Sequence, residues 1–283
     1  MDLCNMEEIR ALLSRHNFHF SKALGQNFLI ESWVPQEIAD ASGAGAGYGV
    51  LEIGPGIGPL TVQLAQRADK VASVELDHTL LPILAETLAD YDNVAVIPGD
   101  VMKLDLSAVV AQQFPGLTPL VCSNLPYNIT TPVLTLLLES GLFAAITVMI
   151  QKEVAQRICA RPGTGEYGAF SVLCQYYAKT EFLFDVPKEC FLPSPKVTSA
   201  VIRLTPCPPP ECVHNKELFF RVVRGAFGLR RKTLLNALSA AFPLNKEQLR
   251  NCIQSAGLSP EIRGERLSIL EFALLADEIE KSL

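Results

Sequence analysis

No Cys-x-x-Cys pair and no His-x-x-x-His pair occurs among the 283 residues. The cysteines stand at 4, 122, 159, 174, 190, 207, 212 and 252, and the histidines at 16, 19, 78 and 214. These spacings match no zinc site or disulfide framework, so reduced thiols and no metal are expected. No apolar run reaches the roughly 18 residues of a membrane span. The opening "MDLCNMEEIR" is acidic and lacks the apolar core of a signal peptide. A soluble cytoplasmic protein without membrane association is the expectation. Charge is also sparse, at 19% against 49% hydrophobic residues, which calls for a packed core rather than disorder. The net charge of −6 argues mildly against nucleic acid, whose phosphates are held by Lys and Arg. One stretch runs the other way. "KELFFRVVRGAFGLRRK" (216–232) carries Lys216, Arg221, Arg224, Arg230, Arg231 and Lys232 against Glu217 alone. A solvated helix face explains such a run as readily as an anionic partner.

What is present is an alternation. "GVLEIG", "KVASVEL", "VAVIPGD" and "LVCSNLP" are short β-rich runs that each end in polar or turn residues. Helical segments such as "PLTVQLAQRA" and "TLLPILAETLADY" lie between them, and "AITVMIQKE", "TEFLFDVP" and "TSAVIRLTP" supply later strands. This order predicts an α/β fold with a doubly wound, mainly parallel sheet. "MEEIRALLSRHNF" and "PQEIADASGA" precede it as helices. "TPCPPPECVHN" (205–215) continues neither strand nor helix. Four segments of helical period follow, so a small all-helical domain is expected over 206–283, after a first domain over 1–205.

Three strand ends carry chemistry. "LEIGPGIGPLT" (51–61) runs from a strand through Gly54, Gly56 and Gly58 into a helix. Glycines let backbone approach a ligand, and a helix start offers N–H groups to an anion. Glu75 ends the next strand, 21 residues after Gly54, where a carboxylate can accept both hydroxyls of a ribose. The pair fits NAD as well as S-adenosylmethionine, and a ligand-free turn is the bland alternative. Asp100 closes the third strand and is placed to accept from an adenine amine or to cap a helix.

The fourth strand ends in "NLPYNIT" (124–130). An adenine amino nitrogen is a poor nucleophile because its lone pair is delocalised into the ring. Two acceptors, the Asn124 side-chain oxygen and the Leu125 carbonyl, would help localise that pair. Pro126 fixes the turn, and Tyr127 offers a face for the base, worth roughly 1–3 kcal/mol. An amide accepts hydrogen bonds without adding charge beside a sulfonium. An Asx turn leading into a helix is the structural alternative.

With these motifs in order, the chain resembles the S-adenosylmethionine-dependent small-subunit rRNA adenine dimethyltransferases, the KsgA type, over nearly its whole length. "KALGQNFL" (22–29) is similar to that family's first motif, followed by "LEIGPGIGPLT", "VELD" (74–77), "GDVMKLD" (99–105) and "NLPYNIT". "MIQKEVAQRI" (149–158), "EYGAFSVLCQYY" (166–177), "FLPSPKVTSAVIRL" (191–204) and "AFGLRRKTLLNAL" (226–238) are similar to later ones. Thr198 departs from the pattern, since the family usually has aspartate there. The resemblance implies a class I, Rossmann-like methyltransferase with a seven-stranded sheet and a helical RNA-docking domain. It implies cofactor contacts at Asn27, Leu29, Gly54, Gly56, Glu75, Asp100 and Asn124. It places Asn124, Leu125, Pro126 and Tyr127 at the reacting base, with Phe191 against the base's other side, although a core aromatic is the plainer reading of Phe191.

The target adenine must leave its stack, as for other base-modifying enzymes. By resemblance, the product is two adjacent adenosines, each dimethylated at N6, in a hairpin near the 3′ end of 16S rRNA. The basic residues Arg221, Arg224, Arg230, Arg231 and Lys232 then read as contacts to structured RNA, recognised chiefly by shape. The expected partner is small-subunit rRNA in a partly assembled subunit, and the expected state a monomer with a role in ribosome biogenesis. Three rivals stay open at this stage: a large-subunit resistance methylase, an NAD-dependent dehydrogenase, and an assembly factor that only docks on RNA.

Overall fold

The computed structural model describes residues 1–21 and 24–283. Lys22 and Ala23, which open the "KALGQNFL" motif, lie outside the described residues. Helix α1 (Met6–Arg15) and the two-residue strand β1 (Phe28–Leu29) precede helix α2 (Trp33–Ser42). The alternation then begins: β2 (Tyr48–Ile53), α3 (Pro59–Ala65), β3 (Lys70–Glu75), α4 (Leu81–Thr87), β4 (Val94–Pro98), α5 (Leu106–Gln113), β5 (Thr118–Asn124), α6 (Thr130–Ser140) and β6 (Ala145–Gln151). After α7 (Lys152–Ile158) and α8 (Ala169–Tyr177) come β7 (Ala178–Val186), β8 (Phe191–Leu192) and β9 (Ser199–Pro206).

Seven strands form one sheet in the order β4-β3-β2-β5-β6-β9-β7. The ladders β4-β3, β3-β2, β2-β5 and β5-β6 are parallel, and β9 joins β6 antiparallel. This is the doubly wound, mainly parallel sheet that the alternation predicts. Strands β2 and β3 are buried from their second residue onward, as expected of central strands covered on both faces. One apolar cluster gathers Val34, Ile38, Leu60 and Leu64 with Val50, Val71 and Leu120. Another gathers Ile9 and Leu12 of α1 with Ile57, Ile83 and Leu84. Chain order reverses direction between β2 and its neighbour β5, and a crevice opens beyond such a switch point.

The chain divides into two compact units, one of Met1–Ala155 with Lys179–Pro206 and one of Gln156–Ala178 with Cys207–Leu283. The expected single boundary at 205/206 therefore needs correction, because residues 156–178 belong with the C-terminal helices. The reason is aromatic packing. Tyr176 of α8 lies 5.6 Å from Phe219, and Tyr167 lies 6.0 Å from Phe227, both on α9 (Lys216–Gly228). With α10 (Leu234–Ser239), α11 (Lys246–Ser255) and α12 (Ile269–Glu280), they build a core that includes Leu234, Leu249 and Phe272.

Candidate active site

Five neighbouring strands, β4-β3-β2-β5-β6, are tied near their carboxyl ends by hydrogen bonds just past the ladders. Gly54 N–H donates to Val74 O at 2.9 Å, and Gly99 N–H to Glu75 O at 2.8 Å. Ile53 N–H donates to Ser123 Oγ at 2.9 Å, and Leu125 N–H to Met149 O at 3.1 Å. The glycine motif, Glu75, Asp100 and the Asn124 turn thus emerge side by side. A cleft of about 1090 Å³, counted out to its open mouth, lies over them. It is lined by Asn27, Leu29, Gly54, Gly56, Glu75, Asp100, Asn124, Leu125, Pro126, Tyr127 and Phe191. Every residue expected at the cofactor or the base therefore borders a single cavity.

Backbone conformation favours glycine at both positions: Gly54 has φ +69° and Gly56 φ +61°, a region that L side chains rarely adopt. A Cβ on Gly54 would stand 3.7 Å from Pro126 Cδ, at ordinary packing distance, and Pro126 lines the same cleft. A Cβ on Gly56 would stand 3.1 Å from the Phe28 ring. The helix that follows, α3, has seven residues and starts on Pro59, which has no N–H of its own.

Two carboxylates sit at the cleft floor. Glu75 is buried and accepts from Asp77 N–H at 2.7 Å and from Gly56 N–H. Burial holds its carboxyl above the usual range, and those donors act against the shift. Glu52 is a residue that the motif reading passed over. It is 1% exposed and accepts Thr61 Oγ1 at 2.6 Å and Ser73 Oγ at 2.8 Å on one oxygen. Burial pushes it up to about 7; the two hydroxyls work against that, and the nearby Glu75 charge adds to it. A charged side chain inside the otherwise uncharged run "YGVLEI" was the available signal.

Asp100 caps a short 3-10 turn, accepting Met102 N–H at 3.0 Å, and still borders the cleft, so the cap and the ligand reading coexist. Asn27 donates its amide to Gly25 O at 3.0 Å. Leu29 pairs with Phe191 across the β1-β8 ladder. Phe191 is 3% exposed and belongs to the core cluster as well as to the cleft wall. Residues 24–29 form a strap along the cleft, which Gln26 latches by donating to Asp77 Oδ2 at 2.6 Å. That latch was not legible from the motif alone.

In the turn, Pro126 O accepts Ile129 N–H and Thr130 Oγ1, each at 3.2 Å, which closes the backbone around Tyr127. Tyr127 is partly buried, and its hydroxyl meets Ser199 Oγ at 2.7 Å. Thr198, the departure from the family pattern, places its carbonyl on Lys152 N–H at 3.0 Å. The basic residues belong to the other unit. Arg221, Arg224, Arg230, Arg231 and Lys232 are all exposed there. Arg230 in addition pairs with Glu265 at 3.5 Å and with the carbonyls of Gly165 and Tyr167. Among the described residues, no group of three or more His, Cys, Asp or Glu is placed to hold a metal ion.

This cleft fits a nucleoside ligand. The glycine backbone borders the cleft without side chains, a buried carboxylate stands one strand away, and the polar turn lines the same cavity. Comparison with known proteins agrees. The model of the family described as ribosomal RNA adenine dimethylase matches residues 17–281. The ribosomal RNA small subunit methyltransferase A of Geobacillus thermodenitrificans is 46% identical, over 98% of this chain and 97% of its own. A dimethyladenosine transferase structure from Plasmodium falciparum superposes with a TM-score of 0.73 at 26% identity, covering 89% of this chain and 97% of that one. The 23S rRNA methyltransferase ErmE follows at 0.66 and 25%, covering 89% and 99%. A dehydrogenase reading does not survive a match of this extent. The chain belongs to the ribosomal RNA adenine dimethylase family, and is a KsgA-type, S-adenosylmethionine-dependent dimethyladenosine transferase acting on rRNA.

Proposed function

We propose that the chain dimethylates, at N6, two adjacent adenosines in a hairpin near the 3′ end of 16S rRNA. In this reading it acts as a cytoplasmic monomer on a partly assembled small subunit, as a step in making that subunit. The observation that carries the chemistry is that the glycine loop, at Gly54 and Gly56, and the Asn124–Tyr127 turn line one cleft. Cofactor and base sites then share one wall.

Asn27, Leu29, Gly54 and Gly56 would hold the cofactor's amino-acid side and backbone, Glu75 its ribose, and Asp100 its adenine. Bound there, S-adenosylmethionine supplies an electrophilic methyl carbon on a sulfonium. The residues of the turn orient the amine. For the first transfer Asn124 Oδ1 and the Leu125 carbonyl accept the two amino hydrogens and so direct the nitrogen lone pair at that carbon. For the second, one of these acceptors holds the single remaining hydrogen, and each transfer releases one proton to solvent. Pro126 fixes the turn, while Tyr127 and Phe191 flank the extruded base. No strong general base is needed, and the rate comes mainly from positioning. Arg221, Arg224, Arg231 and Lys232 contact RNA phosphates from the helical unit.

The small-subunit target is supported by the similarity to a small-subunit methyltransferase at 46% identity, against 25% for the 23S enzyme. The test offers labelled S-adenosylmethionine with unmethylated small subunits and, separately, with large-subunit RNA, and maps the modified nucleotides. Label on two adjacent small-subunit adenosines supports the reading. Label confined to large-subunit RNA overturns it.

A further inference from the structure

Stacking does not require a hydroxyl, because a phenylalanine ring presents the same face as a tyrosine ring. Yet the ring of the catalytic turn carries one, and the Tyr127 hydroxyl meets Ser199 Oγ at 2.7 Å, across 72 residues of chain. Ser199 is a fixed point. It is fully buried, begins β9, and lies opposite Gln151 in the β6-β9 ladder. The preceding carbonyl, that of Thr198, is held by Lys152 N–H at 3.0 Å. The β6 strand also pairs with β5, whose last residue is Asn124, opposite Met149. The strand that carries the amide acceptor and the strand that carries Ser199 therefore flank one neighbour.

Tyr127 itself belongs to neither strand nor helix. The turn bonds to Pro126 O fix the backbone around it and leave the two side-chain torsions to be set elsewhere. A bond at the far end of the ring constrains both torsions together. We infer that Ser199 is a positioning residue, which sets the plane of the Tyr127 ring before the target adenine arrives. This inference rests on the stacking role proposed for Tyr127. The alternative is a hydroxyl that merely satisfies a half-buried phenol, and the two differ in what they predict.

The test is a double-mutant cycle of Ser199→Ala, Tyr127→Phe and the pair, assayed on unmethylated small subunits. Binding of S-adenosylhomocysteine is measured by calorimetry, and melting temperature alongside. A misplaced stacking surface should lower kcat by about 10-fold in either single variant. The cofactor-product Kd and the melting temperature should stay close to those of the parent protein. The double variant should be no slower than the slower single, since both changes remove one bond. Losses that multiply in the double variant overturn the inference, as does parental kcat in Tyr127→Phe. That second variant keeps the test decisive even where Ser199→Ala folds poorly. Tyr127→Ala separates the two levels. Near-parental turnover there sinks the stacking role itself. Loss in Tyr127→Ala alone, with both conservative variants unaffected, sinks only the role of Ser199.

Discussion

Glu52 is the residue at which burial and chemistry conflict most. Its carboxyl, buried under the cleft, has a folded-state pKa raised from 4.5 to about 7. The folded protein therefore holds this proton more tightly than the unfolded chain. Stability from this group is full below about pH 4.5 and falls as pH rises toward about 7, then levels off. At 1.36 kcal/mol per unit the loss is on the order of 3 kcal/mol. Glu52→Gln keeps one oxygen for Thr61 and Ser73 and removes the titration. Denaturant unfolding at a series of pH values should show the variant gaining on the parent between pH 4.5 and 7; parallel profiles would refute the assignment. At Gly56, alanine would bring a Cβ to 3.1 Å from Phe28 at φ +61°. Gly56→Ala should cost about 1–2 kcal/mol of stability and weaken S-adenosylhomocysteine binding in calorimetry. Asn124→Ala removes the acceptor proposed for the amine. Turnover should fall about 100-fold or more, while cofactor binding changes little. Near-normal turnover contradicts the role given to this amide.

At the scale of elements, the strands were legible because burial on both faces leaves little room for polar side chains. β2 and β3 read as apolar runs stopped by Gly54 and by Glu75. The Asn124–Tyr127 turn was legible because Asn124, Pro126 and Tyr127 interrupt such a run. The β1-β8 pairing was not, since two-residue strands so far apart in the chain leave no periodicity, as Phe28 opposite Leu192 shows. The basic run over α9 and the loop after it was legible as charge but not as division of labour. Neutralising Arg224, Arg231 and Lys232 together should weaken RNA binding and lower its salt slope by about two. Arg230→Ala should instead lower the melting temperature, because that side chain ties Glu265 to the 165–167 backbone. A loss of salt slope from Arg230→Ala equal to that of its neighbours would contradict this assignment.

Over the whole molecule, the sequence order of motifs marks the cleft, while the grouping of residues 156–178 with the C-terminal helices depends on packing. "EYGAFSVLCQYY" shows no charge or proline break that assigns it to either unit; Tyr176 meeting Phe219 does. The strap 24–29 was legible as a motif, but not the Gln26–Asp77 bond that latches it. One proposal unites these parts: the methyl donor lies in the cleft that the glycine loop and the tyrosine-bearing turn both line. A crystal structure of the protein with S-adenosylhomocysteine tests it most directly. The account predicts ribose hydroxyls on Glu75, adenine at Asp100 and the sulfur beside Asn124. Density for the ligand away from the Asn124–Tyr127 turn would contradict it.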